Sequence, residues 1–346
     1  MKSIAGGFVA FAIVWMCLGN SGCKGDLPAG PFPAELPTLT DPIPFDSLAP
    51  GKIVFQRIGP PENNYIGAYV VDINRKSSTR IASVVVNEPA ISPDGSRITF
   101  TTLNTVPTGV DVYIMDNDGA NHRPVSDIAG QEQSPSWTFD GKQILFLSVP
   151  FVSSGDSAQL YRQSPVPNAG DRMLVIDFGK RIPRIHVQGP ASADSTGKLM
   201  VAGDGIWTIS GDSADMNLLI PAPGGGKTFY SPAWSPDGRN IALLSVTRAG
   251  ASITSVAVVM YAADGTGAET LVTLPASGTR EWPGNNIHSL CWSPDGSQIA
   301  FTRPDGIDLG AHIYAIRKDR TGLTQVTSAP GVTDRSLSWG AESKVE

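Results

Sequence analysis

A four-residue phrase recurs along this chain: Ser92-Pro93-Asp94-Gly95, Ser235-Pro236-Asp237-Gly238 and Ser293-Pro294-Asp295-Gly296. Two copies follow a tryptophan (Trp234, Trp292), and each precedes an apolar run such as Ile241-Ala242-Leu243-Leu244 or Ile299-Ala300-Phe301. A fourth, altered copy is Trp137-Thr138-Phe139-Asp140-Gly141, ahead of Ile144-Leu145-Phe146-Leu147. Repetition at intervals of roughly 40 to 60 residues constrains the chain to an array of small, similar sheets.

The phrase itself reads as a turn. Proline presets φ at the second position of a type I turn, serine suits the first and glycine the fourth. With β-branched and aromatic flanks, each copy predicts a hairpin, and Asp94, Asp237 and Asp295 are turn residues rather than a catalytic set. A second register repeats in step with the first. Asp118 and Asn121 follow Tyr113 at the offsets at which Asp319 and Gly322 follow Tyr314, Asp264 and Gly267 follow Val259, Asp212 and Asp215 follow Trp207, and Asn74 and Ser77 follow Tyr69. Asn, Gly and Asp tolerate the left-handed backbone that hairpin loops need. From Tyr161 the pattern returns with one inserted residue.

These registers predict units at about 51–84, 86–127, 131–178, 185–221, 228–275 and 286–328, the fourth being the most divergent. The first unit lacks an inner strand, because Gly51-Lys52-Ile53-Val54-Phe55 matches second strands. Arg335-Ser336-Leu337-Ser338-Trp339 has the inner-strand pattern with no hairpin after it. The two ends complement each other, so the last strand is expected to complete the first unit and remove an open edge. The chain here resembles the TolB-type β-propellers (WD40-like PD40 repeats), on Trp234 to Leu243, Trp292 to Phe301 and Tyr113 to Gly119. The resemblance covers about 290 residues. It implies an all-β fold, a six-bladed β-propeller of four-stranded antiparallel blades closed by the C-terminal strand. Fold of this kind does not dictate activity, since similar repeats accompany peptidase and lyase chemistries.

Glycine (37) and proline (28) are too abundant for a helical protein, while 41% hydrophobic residues suffice for a core. A formal net charge of −6 with scattered basic residues gives no electrostatic support to nucleic-acid binding. Residues 1–22 read as a signal peptide: Lys2, then an apolar stretch from Ile4 to Leu18 that is short for a membrane span. Ser21-Gly22-Cys23 resembles the end of a bacterial lipobox, which makes Cys23 the expected lipid attachment point, although Asn20 stands where such motifs carry leucine. Residues 23–50, rich in proline, are expected to be a tether, 51–340 the propeller and 341–346 a tail. The expected place is the bacterial envelope, with a membrane contact through the lipid anchor, on the outer membrane if the cell is Gram-negative. Cys291 would be the remaining thiol, expected buried and inert.

Long loops concentrate function, and here they join one unit to the next or second strands to third. On the face they share, one position per unit lies four residues before the Trp position: Asn87, Gln133, Val187, Tyr230, His288 and Arg335. This ring, with Glu88, Glu132, His186, Phe229, Trp282 and Asp334 as neighbours, is the candidate ligand-binding site, anchored by His288, Arg335 and Tyr230. The expected ligand is an envelope protein or an extended peptide; a monomer without cofactor or metal is expected. Catalytic signals are weak: no G-x-S-x-G elbow occurs, and Asp116-Asn117-Asp118-Gly119 lacks the distal ligands of a calcium loop. Pro223-Gly224-Gly225-Gly226-Lys227 has no following helix to bind phosphate. The alternative is a metal-assisted carbohydrate lyase or hydrolase at the channel mouth, using His186 and His288.

Overall fold

The computed structural model describes residues 39–59, 66–81, 86–105, 108–126, 130–149, 158–166, 170–178, 192–203, 205–210, 215–250, 252–276, 289–304 and 310–342. Strands β1 (Lys52–Ile58), β2 (Ile66–Asp72) and β3 (Ser77–Arg80) form an antiparallel meander. The last strand, β24 (Thr333–Gly340), lies antiparallel to the other side of β1. The same pattern recurs in β4 (Asn87–Ile91), β5 (Arg97–Thr105), β6 (Thr108–Asp116) and β7 (Arg123–Pro124). It returns in β8 (Gln131–Trp137), β9 (Ile144–Val149), β10 (Gln159–Gln163) and β11 (Met173–Asp177). Next come β12 (Ser192–Ala193), β13 (Leu199–Gly203), β14 (Gly205–Ser210) and β15 (Asp215–Pro221). The last two sets are β16 (Lys227–Trp234), β17 (Asn240–Ala249), β18 (Ser252–Ala262), β19 (Glu269–Pro275) and β20 (Leu290–Trp292), β21 (Gln298–Pro304), β22 (Ala311–Arg317), β23 (Thr324–Gln325). Single parallel bridges, Val110 to Gln131 and Ala311 to Thr333, fuse two pairs of these sets into longer sheets. The molecule is all-β, built of four-stranded antiparallel sheets.

The Ser-Pro-Asp-Gly phrases form the turn after each inner strand. Gly95, Gly238 and Gly296 donate their N–H to Ser92, Ser235 and Ser293 carbonyls at 2.8–2.9 Å, with glycine φ of 68 to 69°. The turn closes on itself. Ser235 Oγ donates to Asp237 at 2.5 Å and accepts from Asn240 N–H at 2.9 Å, while Asp237 accepts from Arg239 N–H at 3.1 Å. Those donors hold the Asp237 carboxyl below the ordinary range. The altered copy repeats the circuit with Thr138 and Asp140.

Hydrophobic cores lie between adjacent sheets rather than within them, and strand alternation divides each middle strand between two cores. Ala242 and Leu244 pack with Trp292, Ile299 and Phe301 of the next set, while Ile241 and Leu243 pack with Met200, Ala202 and Ile206 of the preceding one. All four β17 residues are inaccessible to solvent, so an alternating apolar and polar pattern is absent and the run is continuously apolar. A phenylalanine on the second strand lies beside a tyrosine on the third in four sets: Phe55–Tyr69, Phe100–Tyr113, Phe146–Tyr161 and Phe301–Tyr314, with centroids 5.8–6.0 Å apart. Each such pair contributes about 0.5–1.5 kcal/mol beyond its area.

Tight hairpins key neighbouring sheets together. Gly119, at φ +90°, sits against the Ile81 carbonyl of the preceding set, and an added Cβ would stand 1.4 Å from that oxygen. Gly119→Ala is expected to destabilise the protein by about 2–4 kcal/mol through backbone strain and forced displacement, read as a lower urea midpoint. A midpoint equal to wild type would show that the contact yields freely.

Two expectations change. Residues 39–50 do not belong to a free tether: Leu39, Leu48 and Ala49 are buried in a core with Ile53, Phe55, Ile313 and Trp339. The apolar residues spaced between the prolines of this segment are what dock it on the core. In the fourth set, the turn bonds run from Asp194 to Lys198 and Gly197 to Asp194. Ala193 therefore occupies the Trp position, and the turn is one residue shorter than the Ser-Pro-Asp-Gly turns.

Candidate functional site at the central channel

Inner strands β4, β8, β12, β16, β20 and β24 together line a central cavity of about 420 Å³. Its waist is formed by the residue before each Trp position: Ala90, Ser136, Ser192, Ala233, Cys291 and Ser338. All are small, which keeps the bore open where the strands converge. Cys291 is half-buried at this wall rather than fully enclosed, and burial pushes its thiol well above the ordinary range.

Just above the waist, the inner strands are kinked. Register slips between Asn87 and Ala90, Gln133 and Ser136, and Tyr230 and Ala233. The residue after four of the ring positions takes a left-handed backbone: Glu88 (φ 48°), Ser134 (52°), Ser231 (46°) and Ser336 (52°). Such conformations are costly for non-glycine residues and persist only when surroundings impose them. Each bulge re-aims the strand and brings Glu88, Ser134, Ser231 and Ser336 to the lumen.

Side chains in the lumen also tie one inner strand to the next. Ser134 N–H donates to Glu88 Oε2 at 2.6 Å, Leu337 N–H to Ser289 Oγ at 3.1 Å, and Ile91 N–H to Ser338 Oγ at 3.3 Å. Tryptophans add a second tie. The Trp137 indole donates to the Ala90 carbonyl at 3.0 Å and Trp292 to that of Ala233 at 3.1 Å.

The two ends of the channel differ. Pro93, Phe139, Pro236 and Pro294 make the tight-turn end apolar. Toward the opposite ends of the inner strands, beyond the residues that line the cavity, Arg335 Nε donates to Oε1 of the fully buried Gln56 at 2.6 Å, and Gln56 Nε2 donates to Asn87 Oδ1 at 2.8 Å and to the Val86 carbonyl at 2.8 Å. Burial pushes the Arg335 guanidinium down from its ordinary range, with the Glu88 carboxylate opposing; it remains a cation. Arg248 donates to the Tyr230 hydroxyl at 2.5 Å and to Thr228 Oγ1 at 3.2 Å, its guanidinium 5.4 Å from the Tyr230 ring centroid.

Asn87 and Arg335 are thus brought together through Gln56, Tyr230 is positioned by Arg248, and Gln133 is half-buried on β8. His288, Val187, His186 and Cys23 lie outside the described residues. Sequence reasoning missed Gln56 and Arg248. Gln56 faces Arg335 only because β24 pairs with β1, a register in which the two are direct partners. Two ring neighbours belong to the scaffold instead. Glu132 is fully buried, accepting from Val112 N–H at 2.7 Å and from Ser126 Oγ. Asp334 is fully buried against Arg57, and His312 of β22 is buried with Nδ1 3.9 Å from Asp334. Among the described residues no three His, Cys, Asp or Glu group together as a metal set, and no helix is long and apolar enough to cross a membrane.

No family model matches the chain. Over 214 residues, 48% of its length, it is 25% identical to dipeptidyl-peptidase 5 of Porphyromonas gingivalis (strain ATCC 33277), and the match spans 30% of that protein. Among solved structures it is similar to TolB from Acinetobacter baumannii, with a TM-score of 0.64 at 18% identity, covering 84% of this chain and 67% of that one. It is also similar to an oligogalacturonate lyase in complex with manganese, with a TM-score of 0.51 at 13% identity, covering 83% and 76%. At such identities the likeness is one of fold: the architecture is that of TolB-like propellers.

Proposed function

We propose that the chain is a non-enzymatic, lipid-anchored propeller of the bacterial cell envelope, six-bladed and closed by β24, that holds an extended segment of a partner protein or peptide at its channel mouth. The observation that carries this is the polar end of the channel. Arg335 and Asn87 are held by the fully buried Gln56, and Arg248 presets Tyr230, next to a channel wall of small residues. Preset polar groups around a narrow concave site suit a strand-like ligand that offers backbone and short side chains. Residues 1–22 would be removed and Cys23 would carry the anchor, leaving the propeller at the envelope surface as a monomer without cofactor and without a nucleic-acid partner.

Crosslinking of the full-length protein in native envelopes tests the reading. Tyr230→Ala combined with Arg335→Ala is expected to reduce recovery of a reproducible partner about tenfold, the loss of roughly one to two anchored contacts. Undiminished recovery with the double variant folded and anchored would remove the channel mouth from the binding surface. The likeness to the manganese-bound lyase supports a second reading, a metal-assisted carbohydrate lyase or hydrolase at the same mouth. Metal analysis separates the two: a stoichiometric transition metal, lost in His186→Ala and His288→Ala, would favour the enzyme.

A further inference from the structure

Residues 39–50 make an attachment of a different kind from every strand in the molecule. They contain one 3-10 turn, Phe45–Ser47, and join no sheet. Their hold is through side chains and isolated hydrogen bonds. Leu39, Leu48 and Ala49 are buried, and Ile43 and Phe45 are packed, on a core shared by Ile53, Phe55 and Val71 of the first set, Ala300, Ile313 and Val326 of the last, and Trp339 of β24. The segment therefore crosses the place where the beginning and end of the chain meet.

Its polar contacts fall on the same place. Asp41 Oδ1 accepts from Ser328 and Ala329 N–H at 2.5 and 2.7 Å, and Oδ2 from Arg57 at 2.6 Å. Arg57 in turn grips Asp334 of β24 with two bonds of 2.6 and 2.7 Å. Gln298 of β21 accepts from Ala49 N–H at 2.6 Å and donates to the Ser47 carbonyl at 2.8 Å. One short segment thus touches β1, β21 and the 328–329 approach to β24.

The junction it covers lacks one tie found at two others, although its ladder slip between Val54 and Gln56 and its single bridge from Ala311 to Thr333 both have counterparts elsewhere in the molecule. Trp137 and Trp292 each donate to a neighbouring carbonyl, but the Trp339 indole N–H has no partner among the described residues, a lack it shares with Trp234. We infer that residues 39–50 are a latch on the β1–β24 junction: seated, they hold β24 in place, and lifted, they let β24 open locally while the other sheets stay intact. A segment that joins no sheet can leave without breaking a ladder, and its removal withdraws Asp41 from both Arg57 and the 328–329 amides at once. Local openings of this kind have free energies below that of global unfolding.

Hydrogen exchange followed by mass spectrometry on the full chain tests this. In Asp41→Ala, and separately in Leu48→Ser, amides of β1 and β24 are expected to exchange at least tenfold faster, while those of β17 and β18 keep their wild-type rates. Lys76→Ala, which removes an exposed pairing to Asp46 at 2.5 Å, serves as the control that leaves the junction unchanged. Unchanged exchange at β1 and β24 in both variants would overturn the latch. An equal acceleration in all sheets would also overturn it, since the segment would then be part of the global fold. The outcome is independent of what the channel mouth binds.

Discussion

Removal of residues 333–346 is expected to lower the melting temperature by about 10 °C or more and to leave a protein prone to self-association. Strand β24 pairs with β1 at Lys52–Gly340, Ile53–Trp339, Val54–Ser338 and on to Ile58–Thr333. Leu337 and Trp339, at 6% and 7% exposure, would be lost from the core, each worth about 1.5–3 kcal/mol of burial. The larger effect is what remains. Arg57 would keep a buried charge without Asp334, and β1 would present unpaired N–H and C=O groups along its length. Together these exceed about 5 kcal/mol, comparable with the whole stability of many domains. At roughly 2–4 °C per kcal/mol, calorimetry should see the shift readily. A truncated protein with wild-type Tm and monomeric size would refute closure by strand exchange between the chain ends.

Arg57→Ala should cost about 3–5 kcal/mol although it removes a single side chain. The Arg57, Asp41 and Asp334 side chains are all but inaccessible, at 4%, 0% and 0% exposure. Burial works against the guanidinium, yet Asp334 and Asp41 outweigh it and raise its proton affinity above the ordinary range. Burial likewise works against charge on Asp41, but the donors from Arg57, Ser328 and Ala329 hold its carboxyl below the ordinary range. Deleting the cation leaves both carboxylates in a space that water does not reach. Pairing Arg57→Met with Asp334→Leu should recover part of the loss, because apolar replacement of a buried pair is often near neutral while Asp41 keeps only its two backbone donors. Equilibrium urea unfolding of the single and double variants gives the comparison. A loss below 1 kcal/mol for Arg57→Ala would mean the carboxylates find other partners.

Much of the fold was written in short-range chemistry. The Ser-Pro-Asp-Gly turns, the Asp-Gly hairpins and the apolar runs such as Ile241–Leu244 each depend on residues within about ten positions of one another, so pattern reading reached them. The complementarity of Phe55 and Trp339 strands was legible for the same reason: each half carried a recognisable piece of one repeat. The docking of residues 39–50 was not legible, since Leu39 and Leu48 acquire meaning only beside Ile313 and Trp339, which come from the far end of the chain. The candidate site divides similarly. Asn87, Tyr230 and Arg335 could be counted back from the Trp position, but Gln56 and Arg248 meet them from second strands, whose register with the first is a tertiary fact. Glu132 and Asp334 misled because a carboxylate in a polar-looking loop and one buried against an amide look alike in a string of letters.

The Arg57–Asp334 pair spans 277 residues of sequence. During synthesis β1 emerges well ahead of its partner strand β24. Until β24 follows, β1 must wait with one side unsatisfied while the intervening sheets form. Contacts of such separation slow folding, and a waiting strand edge is a hazard for a nascent chain. The joining of β24 to β1 across that separation should then be the slow step in completing the fold.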